Sequence, residues 1–296
     1  LEREQIRISK LQLTSDLLTE YFQQFIFTTK ESVERIISNV SDITSNCNVI
    51  SYNEELNAET YALWHFLDRY HRFQIIFDEL LRQRVINFSS TERKYPYDIL
   101  DIWTWPWISM YAMSDFLNHI NSVWKVQNNK QLENLKYNID YLERSDAFRN
   151  WLHRFTERYN FGNWRFFNLQ VPFHHWNFID FRQLDFNPRL SNPFFHYSDD
   201  DSYPRSFVRK FRFDLVLSSN FFTDLDFFKE NLDSFKKVVQ NIRNRGLLII
   251  VWWKWWHYKE INDSIKSFCE NYKDDSWKFD AKLEQIELES EIMSYP

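Results

Sequence analysis

Apolar residues recur at helical spacing through the first third of the chain. Residues 17–25 place leucine and aromatic side chains on one face, and residues 31–40 repeat the pattern. A third and longer amphipathic stretch covers residues 58–84. Intervals of three and four residues between apolar positions are typical of an α-helix with one buried face. The pattern therefore predicts an N-terminal helical domain over residues 1–94.

From Tyr95 onward, short apolar runs alternate with amphipathic stretches. The runs predict five strands, at 98–102, 136–142, 166–171, 213–218 and 247–251. The amphipathic stretches predict helices between and after them, at 108–120, 146–159, 225–241 and 258–272. Strands that alternate with helices form a parallel, doubly wound sheet. The sequence therefore predicts an α/β domain over residues 95–296, with an irregular insertion at about 178–212.

Glycine is nearly absent from the chain, whereas tryptophan is abundant. The 296 residues include 2 glycines and 13 tryptophans, although average glycine usage of about 7% would give roughly 20. Trp103, Trp105 and Trp107 follow the first predicted strand, where a ligand-binding loop needs glycine for close backbone approach. Read with glycine there, residues 98–113 become DILDIGTGPGISMYAM. The same reading converts residues 243–261 into RNRGLLIIVGGKGGHYKEI, a glycine-rich turn after a buried strand.

These two regions suggest a translational explanation for the tryptophans. Some bacterial lineages read the UGA codon as glycine, and a common alternative translation table reads it as tryptophan. We interpret eight positions as glycine written as tryptophan: Trp103, Trp105, Trp107, Trp176, Trp252, Trp253, Trp255 and Trp256. Trp64 and Trp151 lie inside helical patterns and are interpreted as genuine tryptophan. In the rival interpretation all of the tryptophans are literal, and the loop is then blocked.

With glycines restored, residues 101–107 resemble the first motif of the class I S-adenosylmethionine-dependent methyltransferases, an acid followed by G-x-G-x-G. FDLVLSSNFFTDL resembles the fourth strand of that family, and IDYLERSDAF resembles its second strand with the terminal acid. The resemblance covers about residues 95–272. It implies a Rossmann-like, mostly parallel sheet, S-adenosylmethionine as cofactor, and methyl transfer to an acceptor that the sequence does not identify, such as RNA, protein or a small molecule.

The resemblance also implies roles for individual residues. Asp101 corresponds to the acid near the methionine end of the cofactor, and Glu143 to the acid that binds the ribose hydroxyls. Asn177 and Asp180 are candidates for the adenine contact. The complete set of implied cofactor-binding residues is Asp101, Trp103, Thr104, Trp105, Trp107, Glu143, Asn177, Asp180, Ser218, Ser219 and Asn220. No catalytic base is assigned, since alignment of the reactants supplies much of the barrier reduction in methyl transfer.

Two features depart from the pattern or match it loosely. Glu143 follows Asp101 at a longer interval than the roughly 20 residues seen in dinucleotide-binding folds. Residues 59–81 resemble, loosely, the lead-in helix of the methyltransferases related to mitochondrial small-subunit ribosomal proteins. The cysteine-rich metal signature of that group is absent, because Cys47 and Cys269 are the only cysteines. The sequence therefore predicts no metal site.

Charge and hydropathy limit the remaining possibilities. The net charge of −6 does not favour nucleic-acid binding over the whole surface. No run of 18 apolar residues predicts a membrane span, and two distant cysteines suit a reducing compartment, so a cytoplasmic protein without membrane association is expected. If the tryptophans are literal, two alternatives stay open: a non-catalytic methyltransferase-like scaffold, or an aromatic surface that binds lipid or glycan.

Overall fold

The computed structural model describes most of the helices and strands that the sequence pattern predicts. Its described residues are 2–46, 54, 56–86, 97–102, 108–126, 137–142, 145–167, 173–175, 213–219, 225–251 and 258–271. The N-terminal part contains three helices, α1 (Glu2–Tyr21), α2 (Lys30–Asn46) and α3 (Asn57–Arg82), with a π-helical turn at Phe22–Ile26 after α1. The helical patterns at residues 17–25 and 31–40 fall on α1 with its π-helical turn and on α2, and the pattern at 58–84 falls on α3, which ends at Arg82.

Within the described residues, five strands form one parallel sheet. They are β1 (Tyr97–Ile102), β2 (Tyr137–Leu142), β3 (Phe173–His175), β4 (Phe213–Ser219) and β5 (Ile242–Val251). The strand order is β3-β2-β1-β4-β5, and every neighbouring pair is parallel. This is the order of the doubly wound Rossmann type, in which the chain winds outward in both directions from the centre. The predicted α/β, Rossmann-like fold class is confirmed.

In the part of the chain that the structure describes, five helices accompany the strands. They are α4 (Ile108–Val126), α5 (Asp146–Phe167), α6 (Leu225–Glu230), α7 (Leu232–Gln240) and α8 (Tyr258–Asn271). The prediction of a single helix over 225–241 was wrong, because Asn231 separates α6 from α7. The Asn231 side-chain amide donates to the carbonyl of Phe227 at 2.7 Å, and this local bond competes with a continuous helix. Among the described helices, none combines the length and apolar character needed to cross a membrane.

The third predicted strand, at 166–171, was placed wrongly. Phe166 and Phe167 belong to α5, and the strand that pairs with β2 is Phe173–His175. A short aromatic run at a helix end cannot be told from a buried strand by periodicity alone.

Two hydrophobic clusters cover the two faces of the sheet, because successive residues of a strand alternate between faces. Ile99 of β1 and Leu217 of β4 belong to one cluster, which continues through α4 and α5 into α1 and α3. Leu100 and Val216 belong to the other, which includes α6, α7 and α8. The first cluster includes both Leu17 of α1 and Leu217 of β4. The N-terminal helices therefore share one hydrophobic core with the sheet. The boundary at residues 94 and 95 stays a prediction.

At the amino-terminal edge of the sheet, β5 begins with a bulge that the sequence did not predict. Phe213 pairs with Ile242, and Leu215 pairs with Leu247, so residues 243–246 lie opposite one residue of β4. The extra residues let Arg243 reach across the sheet edge. Its guanidinium donates to Asp214 at 2.9 Å and to Asp98 at 2.7 Å. One arginine therefore joins two buried carboxylates from different strands.

Both glycines occupy places where another part of the chain comes very close. A Cβ added at Gly246, in the bulge, would lie 2.9 Å from the Arg243 carbonyl oxygen and 3.1 Å from that of Phe213. A Cβ added at Gly162 of α5 would lie 2.8 Å from a terminal methyl of Leu17 in α1. A leucine methyl can move by rotation of its side chain, whereas a carbonyl oxygen moves only when the backbone that carries it shifts.

Gly246→Ala is therefore expected to destabilise the protein more than Gly162→Ala. Overpacking against fixed neighbours costs about 1–3 kcal/mol, so we expect a loss of about 3 kcal/mol at position 246 and about 1 kcal/mol at position 162. Urea unfolding of both variants measures the difference, with each serving as the other's control. Equal losses at the two positions would show that the bulge backbone adjusts as easily as the leucine side chain.

Candidate functional site

The topological switch point of the sheet lies between β1 and β4. The chain proceeds from β1 through α4 to β2 on one side, and from β4 to β5 on the other. In open parallel sheets the crevice for a ligand opens at the carboxyl ends of these two strands. Ile102 pairs here with Ser218, and Asp101 pairs one step earlier with Leu217. The chemistry-bearing residues at the strand ends are therefore placed at the edge where ligands bind.

Asp101 is fully buried on the sheet face that packs against α4. The hydroxyl of Ser109, in the first turn of α4, donates a hydrogen bond to Oδ2 of Asp101. Ser109 is itself fully buried. A buried carboxylate is strongly disfavoured without polar partners, and Ser109 is one such partner for Asp101. The bond also ties the end of β1 to the start of α4. The chain between them, residues 103–107, is the loop that the sequence singled out.

Sequence reasoning missed Ser109. The available signal was a small hydroxyl residue in the first turn of the helix that follows the acidic strand. Such a residue lies close enough to return a hydrogen bond to the strand end, because a short loop brings the two ends together. The pattern alone did not separate Ser109 from an ordinary small residue in a helix.

Ser218 and Ser219 end β4, and both are buried. Parallel register puts Ser218 beside Ile102, whereas Ser219 continues the face that carries Asp101 and Leu217. Within the described part of the chain, Ser218 Oγ has no hydrogen-bond partner. A buried hydroxyl without a partner is costly, so Ser218 provides a polar group at the switch point that a ligand atom can satisfy.

The other predicted site residues lie outside the described residues. These are Trp103, Thr104, Trp105, Trp107, Glu143, Asn177, Asp180 and Asn220. Glu143 directly follows Leu142, the last residue of β2, which pairs with Ile102 of β1. Asn220 directly follows Ser219. The roles of these residues stay predictions.

Another buried carboxylate, Asp115, fastens α4 to the N-terminal helices. The hydroxyl of Tyr70 in α3 donates to Oδ2 of Asp115, and the Thr14 hydroxyl of α1 lies 3.5 Å from the same atom. Burial raises the pKa of Tyr70 well above its ordinary value, and the charge of Asp115 raises it further. Tyr70 is therefore a protonated donor at neutral pH. Helix α4 is thus held in its first turn by the bond from Ser109 to Asp101, and further along by the bonds of Asp115 to α1 and α3.

The described residues suit a ligand with a positively charged group. S-adenosylmethionine carries a sulfonium and an ammonium group, and the Asp101 carboxylate at the switch point is complementary to such charge. The Ser218 hydroxyl adds a polar contact. Close backbone approach requires glycine in the loop after β1, so the fit depends on the glycine reading of positions 103, 105 and 107. In the described ranges, no group of three or more His, Cys, Asp or Glu side chains could hold a metal ion.

Comparisons with known proteins add little to this description. No family model matches the chain, and no curated protein matches it. Among solved structures, it is similar to a loganic acid methyltransferase with SAH, at 11% sequence identity and a TM-score of 0.36. The match covers 68% of this chain and 56% of that one, so the chain spans little more than half the length of that protein. The fold assignment stands on strand order and direction: the chain is an α/β protein of the Rossmann-like, doubly wound class.

Proposed function

We propose that the protein is a methyltransferase that moves a methyl group from S-adenosylmethionine to an acceptor, and that positions 103, 105 and 107 are glycine in the functional protein. The supporting observation is the position of Asp101. It is a buried carboxylate near the carboxyl end of β1, beside β4 at the switch point, and it is bonded to the first turn of α4. The acid, the short loop and the helix start are in the order that the family's first motif requires.

When bound, S-adenosylmethionine would supply a methyl group carried on its sulfonium sulfur. After the transfer, that sulfur is a neutral thioether. This chain's contribution is positioning and charge complementarity. Asp101 orients the cationic end of the cofactor, while Ser109 fixes the Asp101 carboxylate. Ser218 and Ser219 line the β4 side, and Glu143 accepts hydrogen bonds from the ribose hydroxyls. Alignment of the methyl group with the acceptor atom supplies much of the barrier reduction. The acceptor is RNA, protein or a small molecule.

Restoring three glycines is expected to create cofactor binding. We expect the Trp103→Gly, Trp105→Gly, Trp107→Gly variant to bind S-adenosylhomocysteine with a Kd on the order of 10 μM, about −7 kcal/mol. The protein with three indoles in the loop should show no measurable heat of binding. Isothermal titration calorimetry on the two proteins makes the comparison, and Trp64→Gly is the matched control because Trp64 is an exposed residue of α3.

A further substitution identifies the site. Asp101→Asn in the restored protein removes the charge but retains an acceptor for Ser109, so it should weaken binding at least about tenfold. A restored protein that unfolds cooperatively yet binds no S-adenosylhomocysteine would contradict the methyltransferase proposal. The non-catalytic scaffold would then be the better interpretation.

A further inference from the structure

Helix α3 contacts the beginning of α4 through a buried side chain, Gln74. The amide nitrogen Nε2 of Gln74 donates a hydrogen bond to the backbone carbonyl oxygen of Ala112, at 2.8 Å. Gln74 is a buried residue, so this bond forms away from water. Ala112 follows Ser109 by about one turn of the helix. Gln74 therefore holds α4 close to the residue that bonds to Asp101.

Further contacts between α3 and α4 lie around the same position. The rings of Phe66 and Tyr111 have centroids 5.7 Å apart. The rings of Phe77 and Phe116 have centroids 5.6 Å apart. Together with the amide bond and the Asp115 bond described above, these contacts involve four α4 residues: Tyr111, Ala112, Asp115 and Phe116. The four residues span less than two turns, so a small shift or rotation of this part of α4 would disturb all of the contacts.

The position of α4 also determines where the loop after β1 must end. β1 ends at Ile102 and α4 begins at Ile108, so residues 103–107 have to span the distance between these two ends. On the β1 side, the Ser109 hydroxyl bonds to Asp101. Protein interiors have low compressibility and transmit small displacements. If its contacts with α3 were loosened, the start of α4 could move, and both the loop ends and the bond from Ser109 to Asp101 would change.

We propose that Gln74 is a positioning residue for cofactor binding. Its hydrogen bond holds the first turns of α4 in place, and α4 in turn holds Asp101 and the ends of the loop at 103–107 in the arrangement that the cofactor requires. Gln74 acts through α4 and does not itself bind the cofactor. This assignment rests on the proposed methyl transfer. It makes a side chain of the N-terminal helical region one of the determinants of cofactor affinity.

Replacement of Gln74 by methionine tests the proposal in the glycine-restored protein. Methionine has a similar length and fills a similar space, but it has no hydrogen-bond donor. We expect Gln74→Met to weaken the binding of S-adenosylhomocysteine about fivefold to tenfold, since one neutral hydrogen bond contributes at most about that factor. Isothermal titration calorimetry measures the two dissociation constants. An affinity that Gln74→Met leaves unchanged would overturn the proposal.

Ile36→Val is the matched control for a loss of stability. Ile36 is a buried residue of α2, a helix that packs against α3. The loss of one buried methyl group costs about as much stability as the loss of one hydrogen bond, so both variants should lower the urea midpoint of unfolding to a similar extent. Only Gln74→Met should weaken the binding of S-adenosylhomocysteine. Equal weakening by Ile36→Val would mean that affinity follows overall stability, which contradicts a positioning role.

A double variant shows whether Gln74 acts through the start of α4. Ser109→Ala removes the hydroxyl that bonds to Asp101, and by itself it should also weaken cofactor binding. In its presence Gln74→Met should have little further effect, because the bond that the Gln74 substitution would disturb is already lost. Two independent effects would multiply instead. A double variant whose loss of affinity equals the product of the two single losses would therefore contradict action through Ser109 and Asp101.

Hydrogen exchange without ligand separates this inference from the proposed function. In the unrestored full-length protein, mass spectrometry follows the exchange of backbone amides in residues 109–116. Gln74→Met should accelerate exchange in this segment more than Ile36→Val does, and equal rates would show that Gln74 does not hold α4. A restored protein that binds no S-adenosylhomocysteine contradicts the proposed function and the positioning role together. A restored protein that binds it equally well with and without Gln74 contradicts only the positioning role.

Discussion

Trp151→Gly is expected to lower the free energy of unfolding by about 4–6 kcal/mol. Truncation of a buried tryptophan costs about 3–5 kcal/mol, and glycine inside a helix costs about 1 kcal/mol more. Trp151 has no exposed surface and stacks on Phe155, with ring centroids 5.1 Å apart and planes inclined by 10°. Its ring also makes edge contacts with Tyr21 of α1 and Phe66 of α3. The substitution would leave a cavity where three helices meet.

Trp64 provides the control for this measurement. It is also a helical tryptophan, but 54% of its surface is exposed. Trp64→Gly should therefore cost only about 1 kcal/mol, the helix-propensity difference. Urea unfolding followed by circular dichroism measures both variants without relying on tryptophan fluorescence. A Trp151→Gly variant no less stable than Trp64→Gly would mean that the aromatic cluster does not need an indole, and position 151 would join those interpreted as glycine.

Arg243→Ala is expected to lower the free energy of unfolding by about 3–5 kcal/mol, the usual cost of removing one partner from a buried ion pair. Arg243 joins Asp98 and Asp214, whose side chains are 7% and 9% exposed. The backbone N–H of Asp98 also donates to Asp214 Oδ2 at 2.9 Å, so the two carboxylates lie close together. Without the guanidinium, two like charges would face each other in a poorly hydrated place.

Two further variants make the Arg243 result specific. Arg35→Ala removes an exposed arginine that lies 3.7 Å from Glu31 on the same helix, and it should cost no more than about 0.5 kcal/mol. Adding Asp98→Asn and Asp214→Asn to Arg243→Ala should recover part of the lost stability, because the repelling charges disappear. If the triple variant is less stable than Arg243→Ala, the carboxylates contribute by hydrogen bonding rather than through their charge.

The two proposed classes of tryptophan differ in their local environment. Trp151 is required by packing, because it fills a core between helices. The tryptophans interpreted as glycine, such as Trp103 and Trp252, follow predicted strands at positions where a parallel sheet needs tight turns. Reading the codons distinguishes the classes: UGA at position 103 together with UGG at position 151 supports the glycine interpretation.

The candidate site was predictable from the sequence only where local pattern defines it. Asp101 and Ser218 were assigned through the resemblance to the class I methyltransferases, and the structure places both near the carboxyl ends of two neighbouring parallel strands. Ser109 was missed because its importance is a contact with another element rather than a pattern.

The sequence by itself determined the alternation of strands and helices, the parallel α/β class and the approximate bounds of β1, β2 and β4, because period and run length are local properties. Only the tertiary structure decided what depends on distant residues. β3 is too short for a distinctive pattern and is defined by its pairing with β2. The bulge of β5 contains Arg243, which bonds to Asp98, a partner 145 residues away. Such contacts follow from packing in three dimensions, which no local pattern of apolar and polar residues encodes.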